Sequence, residues 1–435
     1  MASKGLMIAG LASGSGKTMV TLGLLRALAR RGKAPAAGKT GPDYIDPGFL
    51  SAAAGRKAVN LDQFAMSKPL LAHLAADQAG DTLIIEGVMG LFDGASGSAG
   101  SSAALAKTLD IPVILVMDIR HTAQTAAMIA AGIAGLLPAG RIAGVILNHV
   151  ASPRHLALVS EALAAYQIPL FGSVPSRDGL AVPSRHLGLV QAADFDNAGV
   201  EQILDHAADL IDEYCDLDAI LDAAQKLPAA NKAVAALPLP FTSPPAKTIA
   251  VANDAAFGFA YHHLLAGWQQ QGAEIRPFSP LNDEKPADDA DFIFLPGGYP
   301  ELYLPTLSRN RQFLLGLNKA AKANIPIYGE CGGYMVLGTG ITDASGNRFD
   351  MAGLLDVETS FANKKRHLGY RKFTPVEPFF WDGPFLGHEF HYTNVVSASG
   401  TPLFIVHDAN DQPLGMAGLR KGSVAGSYLH IITQS

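Results

Sequence analysis

A lysine and a hydroxyl, Lys17-Thr18, close a glycine- and serine-rich run from Gly10 to Gly16, an order of residues suited to holding phosphate. Backbone N–H groups of Ser13, Gly14, Ser15 and Gly16 can converge on an anion, Lys17 can reach its outer oxygens, and Thr18 can hold Mg²⁺. The strict spacing G-x-x-x-x-G-K-[ST] asks for glycine at 11, where this chain has Leu11 and a glycine one place early. An ordinary strand-to-helix turn is the alternative. A second group of reactive side chains, Lys39, Asp43 and Asp46, lies in a stretch that proline and glycine make stiff (38–47), and reads as a metal and substrate loop. Glu86, a carboxylate placed to face Mg²⁺, and Asp93, within reach of the same crevice, form a third. In the other half, Cys331 between Glu330 and Gly332-Gly333 has the setting of a nucleophile, and His430 is the best candidate for its base.

These groups need elements that hold them. Leu6 to Ala9 read as a buried strand, and Val20, Leu22, Leu24, Leu25 and Leu28 as one face of the helix that Lys17 opens. Residues 81–86, 111–118, 142–148 and 169–174 are further apolar strands, the pattern of a sheet covered on both faces. Glu86 then ends its strand where ligands bind in parallel sheets. Asn148 ends another, either to read an adenine edge or to cap the strand. Arg185 and His186 are either contacts for substrate carboxylates or a surface turn. Residues 200–224 read as one helix, and the Ala- and Pro-rich 226–247 as a linker.

The pattern restarts beyond it, with strands at 248–252, 273–278, 292–295 and 325–329 and a helix at 261–271. The last of those strands delivers Cys331 into a helix, whose first N–H groups should lower the thiol pKa. A small buried hydrophobe is the other role open to a lone cysteine. Backbone N–H groups of Gly298 and Gly332 are candidates for an oxyanion hole. His430 is expected near the end of a final strand. His388 and His391 form a second histidine cluster, at a spacing poor for zinc on a helix.

Composition bounds the function. At 435 residues, 49% hydrophobic and 17% charged, the chain suits a two-domain α/β enzyme. A net charge of −6 argues against nucleic acid as a partner. Two cysteines in different halves argue for a reducing cytoplasm, and no leader or membrane span is expected.

The motifs, taken in order, resemble one family. The loop Gly10 to Thr18, GPDYIDP at 41–47, NLD at 60–62, IEGVMGLFDG at 85–94, PGGYPE at 296–301, ECGG at 330–333 and GHEFHY at 387–392 are similar to those of the cobyrinic or hydrogenobyrinic acid a,c-diamide synthases of cobalamin biosynthesis. The resemblance covers essentially the whole chain. It implies an α/β fold of two domains, a P-loop NTPase domain of the dethiobiotin-synthetase type (1–225) and a class I glutamine amidotransferase domain of flavodoxin-like, Triad type (248–435). It implies amidation of two corrin carboxylates with ATP, Mg²⁺ and L-glutamine. Lys17 and Thr18 fall to ATP and Mg²⁺, Glu86 to the metal, Asp43, Tyr44, Asp46 and Asp93 to the acyl-phosphate chemistry, Cys331 and His430 to the glutaminase. A homodimer is compatible with it.

Leu50 stands where a histidine commonly follows the DYIDP loop, and Ile432 where class I glutaminases often carry a Glu after the histidine. The partner that orients His430 is therefore left open. Cobyric acid synthase, which amidates other carboxylates with the same modules, is the nearest rival, and the GPDYIDP and IEGVMGLFDG motifs argue against it. A ParA- or MinD-like switch ATPase would carry a second lysine where Ala12 stands. Dethiobiotin synthetase alone leaves 248–435 unexplained.

Overall fold

No polar residue interrupts Leu6 to Ala9, and a strand of that kind is stable only with both faces covered. In the computed structural model, which describes residues 4–434 apart from 79, 98, 139, 177–196 and 229–242, that strand is central. The chain forms two units, Met1–Leu239 and Pro240–Ser435.

The first unit runs β1 (Lys4–Gly10), α1 (Lys17–Arg30), β2 (Pro35–Thr40), α2 (Asp46–Ala54), β3 (Val59–Leu61), α3 (Lys68–Asp77), β4 (Thr82–Glu86) and α4 (Ser102–Leu109). It continues with β5 (Val113–Asp118), α5 (Thr125–Leu136), β6 (Ile142–Val150), α6 (Pro153–Ala165), β7 (Leu170–Pro175), α7 (Asn197–Tyr214), α8 (Leu217–Ala223) and β8 (Gln225–Lys226). The sheet order is β3-β2-β4-β1-β5-β6-β7, all parallel, with β8 antiparallel beside the start of β1. From β1 the chain moves to one side of the sheet, returns through β4, then continues on the other side. That reversal places the loops after β1, β2 and β4 around one crevice, where parallel sheets bind ligands.

Four expectations need correction. Asn148, expected to end its strand, lies inside β6, which runs on to Val150. Lys39 and Thr40 lie in β2, so the turn cluster begins after them, at Gly41. The helix expected over 200–224 is two, because Asp216 leaves the first and caps the second: its N–H bonds Phe171 O at 2.8 Å and its Oδ1 accepts from Ala219 N at 3.0 Å. Lys226, expected to open the linker, pairs with Lys4 in the sheet.

The second unit runs β9 (Thr248–Ala252), α9 (His262–Gln270), β10 (Glu274–Phe278), β11 (Phe292–Leu295), α10 (Leu304–Leu307), α11 (Arg311–Lys322), β12 (Ile327–Glu330), α12 (Gly332–Leu337), β13 (Gly340–Thr342), β14 (Arg348–Asp350) and β15 (Val357–Ser360). Then follow β16 (His367–Pro375), β17 (Phe385–His391), β18 (Asn394–Ala398), β19 (Thr401–Asp408), β20 (Pro413–Lys421), β21 (Val424–Ser427) and β22 (Leu429–Gln434). Ten strands share one sheet in the order β10-β9-β11-β12-β21-β20-β19-β16-β17-β22. It is parallel up to β21 and antiparallel from there. Tyr428 alone separates β21 from β22, yet these strands end opposite sides of the antiparallel run, so that run curls back on itself. The curl brings β22 and β17 alongside the end of β12. Strands β14-β13-β15-β18 form a separate small sheet.

Candidate active sites

The loop after β1 is built as the sequence reading expects. Gly14 and Gly16 have φ of +80° and +94°, a left-handed path that a glycine takes at little strain. Lys17 Nζ donates to Ala12 O at 2.9 Å and Ser15 Oγ to the same carbonyl at 3.0 Å, so the side chains brace the turn from inside. Burial lowers the Lys17 pKa, and the nearby Lys39 lowers it further, against the pull of Glu86, Asp46 and Asp93. Asn148 braces the loop from the next strand but one. Its Nδ2 donates to Ser15 O at 3.2 Å, its Oδ1 accepts from His149 N, and a Cβ on Gly16 would lie 2.1 Å from that Nδ2.

Behind the loop sits a lysine ringed by carboxylates. The parallel register sets Lys39 directly opposite Glu86, so their meeting is built into the sheet. Lys39 Nζ lies 3.0 Å from Glu86 Oε1 and 3.9 Å from Asp43 Oδ2, and bonds the Asp46 carboxylate. Burial opposes its charge, but Glu86, Asp46 and Asp43 outweigh burial and hold the ammonium well above the ordinary lysine range. Thr18 Oγ1 donates to Glu86 Oε1 at 2.6 Å. Glu86 Oε2 is buried with no hydrogen-bond partner among the described residues, and burial raises the carboxyl pKa to about 7. An orphaned carboxylate oxygen beside a threonine hydroxyl fits a divalent cation.

Burial and Asp46 also raise Asp43, to about 6, although its Oδ1 accepts from Ile45 N at 2.9 Å and Asp46 N at 3.1 Å. Asp43 thus shapes the turn into α2 as well as facing Lys39. Tyr44 is half-buried between these carboxylates in the chain. Asp93 is exposed, with Oδ2 accepting from Gly90 N at 2.8 Å, and its charge is felt at Lys17. Arg185 and His186 lie outside the described residues.

In the second unit Cys331 stands between β12 and α12 with φ +46° and ψ −105°, a strained setting for any residue with a side chain. The turn is held by Cys331 N donating to Ser427 O at 2.8 Å and Met335 N to Cys331 O at 3.1 Å. Sγ points at Phe390 O, 3.8 Å away on β17. A Cβ on Gly332 would lie 3.1 Å from Gly298 N, so the two backbones proposed for the oxyanion hole run side by side. A Cβ on Gly297 would lie 2.3 Å from His430 Cε1, 3.1 Å from its Nε2 and 3.2 Å from Cys331 Cβ. Thiol and imidazole are thus neighbours across a residue without a side chain.

Two expectations fail here. His430 is the second residue of β22, near its start and not its end. The thiol pKa is raised, not lowered: burial dominates, the Glu301, Glu330 and Glu389 carboxylates add to it, and the Gly332 N–H opposes them too weakly.

Around the pair lie groups whose roles the sequence reading did not assign. Glu330 Oε2 is 3.6 Å from His430 Nδ1, and its Oε1 accepts from Ile431 N at 3.0 Å. His388 is the register partner of His430 across β17 and β22, and burial with His430 and Arg371 nearby lowers its pKa to about 3. Burial works against the Glu389 carboxylate, but His391 and Arg371 outweigh it and hold the pKa down at about 2. Glu301 is partly exposed as a residue, but its Oε2 is buried without a partner among the described residues, and burial raises its pKa to about 7. His367, Glu389 and His391 offer ligand atoms within 4.8 Å of one another. The imidazoles of His367 and His391, however, stack in parallel at 4.6 Å, and Arg371 Nε takes Glu389 Oε2 at 2.8 Å, a geometry of packing and ion pairing. Adjacency in the motif was the signal available for Glu330 and His388. No helix among the described residues is long and apolar enough to cross a membrane.

Comparison with known proteins matches both units. Residues 6–190 match the CobQ/CobB/MinD/ParA nucleotide binding domain and residues 248–435 the CobB/CobQ-like glutamine amidotransferase domain. The hydrogenobyrinate a,c-diamide synthase of Rhizobium meliloti (strain 1021) is 49% identical over 98% of this chain and 99% of its own. Those of Brucella anthropi and Rhodobacter capsulatus are 48% and 45% identical, each over 99% of this chain and 98% of their own. Likeness at this level, end to end, places the chain in the hydrogenobyrinate a,c-diamide synthase family.

Proposed function

We propose that this chain converts the a and c carboxylates of hydrogenobyrinate to amides, with ATP, Mg²⁺ and L-glutamine, in the cytoplasm. Residues 1–226 form the ATP-dependent ligase, 248–435 the glutaminase, and 227–247 join them. The observation that carries the reading is the presence, in one chain, of a phosphate loop backed by Lys39 and Glu86 and a buried Cys331–His430 pair.

A carboxylate does not react with ammonia, because oxide is the leaving group; phosphorylation by ATP supplies a better one. Lys17 and the loop N–H groups hold the phosphates, and Lys39 offsets charge on the transferring phosphoryl group. Thr18, Glu86 and Asp43 would hold Mg²⁺, which neutralises phosphate charge. Asp46, Asp93 and Tyr44 border the place of the activated carboxylate.

Ammonia comes from glutamine. Cys331 rests as a thiol, so its attack must be coupled to transfer of its proton to His430. The S–C bond forms as the carbonyl π pair moves to oxygen; when that oxyanion collapses the C–N bond breaks, and His430 gives its proton to the departing ammonia. Gly298 and Gly332 N–H groups hold the oxyanion, and water releases glutamate from the thioester.

Cys331→Ala assayed with two nitrogen donors tests this. Glutamine-dependent diamide formation should fall on the order of 10⁴-fold, while high external ammonia at mildly alkaline pH restores it. Retained glutamine-dependent activity removes Cys331 as nucleophile. Loss with both donors in a folded variant defeats the division of labour.

A further inference from the structure

Ile432 leaves His430 without the carboxylate partner that class I glutaminases often carry two residues on, and the fold supplies another carboxylate from a different strand. Glu330 ends β12, immediately before the nucleophile, with a side chain only 3% exposed. Its Oε1 accepts from Ile431 N at 3.0 Å, which fixes the carboxylate on the backbone of the residue after the histidine. Its Oε2 then lies 3.6 Å from His430 Nδ1. The opposite edge of the ring, Cε1 and Nε2, lies beside Gly297 and so beside Cys331.

We propose that Glu330 is the positioning residue for His430: it draws the ring proton to Nδ1, leaving Nε2 bare towards the Cys331 thiol. This rests on the glutaminase reading above. A backbone-anchored carboxylate beside Nδ1, with Cys331 near the Cε1–Nε2 edge of the ring, is the arrangement that orients a general base. Resting contacts of this kind are often longer than hydrogen bonds and tighten when substrate binds. When Nε2 takes the thiol proton, the imidazolium carries its charge between Glu330 and the forming thiolate. Its Nδ1 proton stays in place throughout, and the Nε2 proton leaves with ammonia.

The titratable groups that face His430 are Glu330 from β12, Cys331 from the turn and His388 from β17, with Arg371 and Glu389 behind His388. Glu330 is the acidic group in direct reach. Its removal should therefore free the ring proton to sit on either nitrogen.

Glu330→Gln tests this with little change of shape. The amide oxygen still accepts from Ile431 N, but the NH₂ group now donates to Nδ1 and forces the ring proton onto Nε2. Glutamine-dependent kcat should fall by about 10²- to 10⁴-fold, with KM for glutamine nearly unchanged. Ammonia-dependent amide formation should stay at the wild-type level, and Glu330→Asp should recover part of the loss. An unchanged glutamine-dependent kcat in Glu330→Gln overturns the proposal. So does loss of ammonia-dependent activity in parallel, which marks a merely structural role. Full glutamine-dependent activity in Cys331→Ala would instead overturn the glutaminase reading itself.

Discussion

A methyl group on Gly297 would fall between the proposed base and the proposed nucleophile, 2.3 Å from His430 Cε1 and 3.2 Å from Cys331 Cβ. Neither can retreat, since both are buried. Gly297→Ala should push the imidazole off line and lower glutamine-dependent kcat/KM by about 10²-fold or more, with ammonia-dependent activity kept. Steady-state kinetics with both donors checks it, and near-normal glutamine use would place the pair elsewhere. At this scale the sequence was legible where chemistry is local. Lys17-Thr18 and Cys331-Gly332 announce themselves by their neighbours. Glu330 stood in a quoted motif without a role, because its partner is a hundred residues away and only strand pairing brings it close. The thiol pKa was misjudged for a similar reason: burial and the carboxylates of Glu301 and Glu389, placed by the tertiary fold, act with neighbouring Glu330 to outweigh one helix-start N–H.

Elements show the same division. Helix α1 packs on α7 so closely that a Cβ on Gly23 would lie 2.4 Å from Ala207 O, whereas one on Gly132 in α5 would meet nothing. Gly→Ala in a helix ordinarily stabilises by about 0.5–1 kcal/mol. Gly132→Ala should do so. Gly23→Ala should destabilise by about 1–3 kcal/mol, because a helix backbone would have to move. Chemical denaturation of the two variants decides it, and equal effects would show that the α1–α7 contact yields freely. The ion pairs along that contact, Arg30 with Asp209 at 2.6 Å and Arg31 with Asp212 at 2.8 Å, are exposed and add little each. Continuous apolar strands such as β1 and β5 were readable, since burial on both faces leaves a plain run. The antiparallel strands from β16 to β20 were not. Their outward faces carry exposed apolar residues, Leu414 at 52% and Met416 at 64%, which blur the alternation, and their partners are distant in sequence.

For the whole molecule, two units with separate sheets imply that each chemistry can be removed alone. Lys17→Ala should cut amide formation from either nitrogen donor on the order of 10³-fold. Basal glutamine hydrolysis should persist in the same preparation, measured as glutamate release. Glutamate release lost along with amide formation, in a folded variant, would refute that independence. Motif order made the two-unit plan and the family legible from sequence, since every quoted motif but GHEFHY, which runs along β17, sits at the end of a strand or the start of a helix. The backbone at Cys331 bears on this chain's history as well as its chemistry. A residue with a side chain at φ +46° strains the fold, and glycine there would relieve roughly 1 kcal/mol or more. Under the glutaminase reading, a variant freed from using glutamine could therefore gain stability by exchanging this cysteine for glycine, at the cost of the proposed nucleophile.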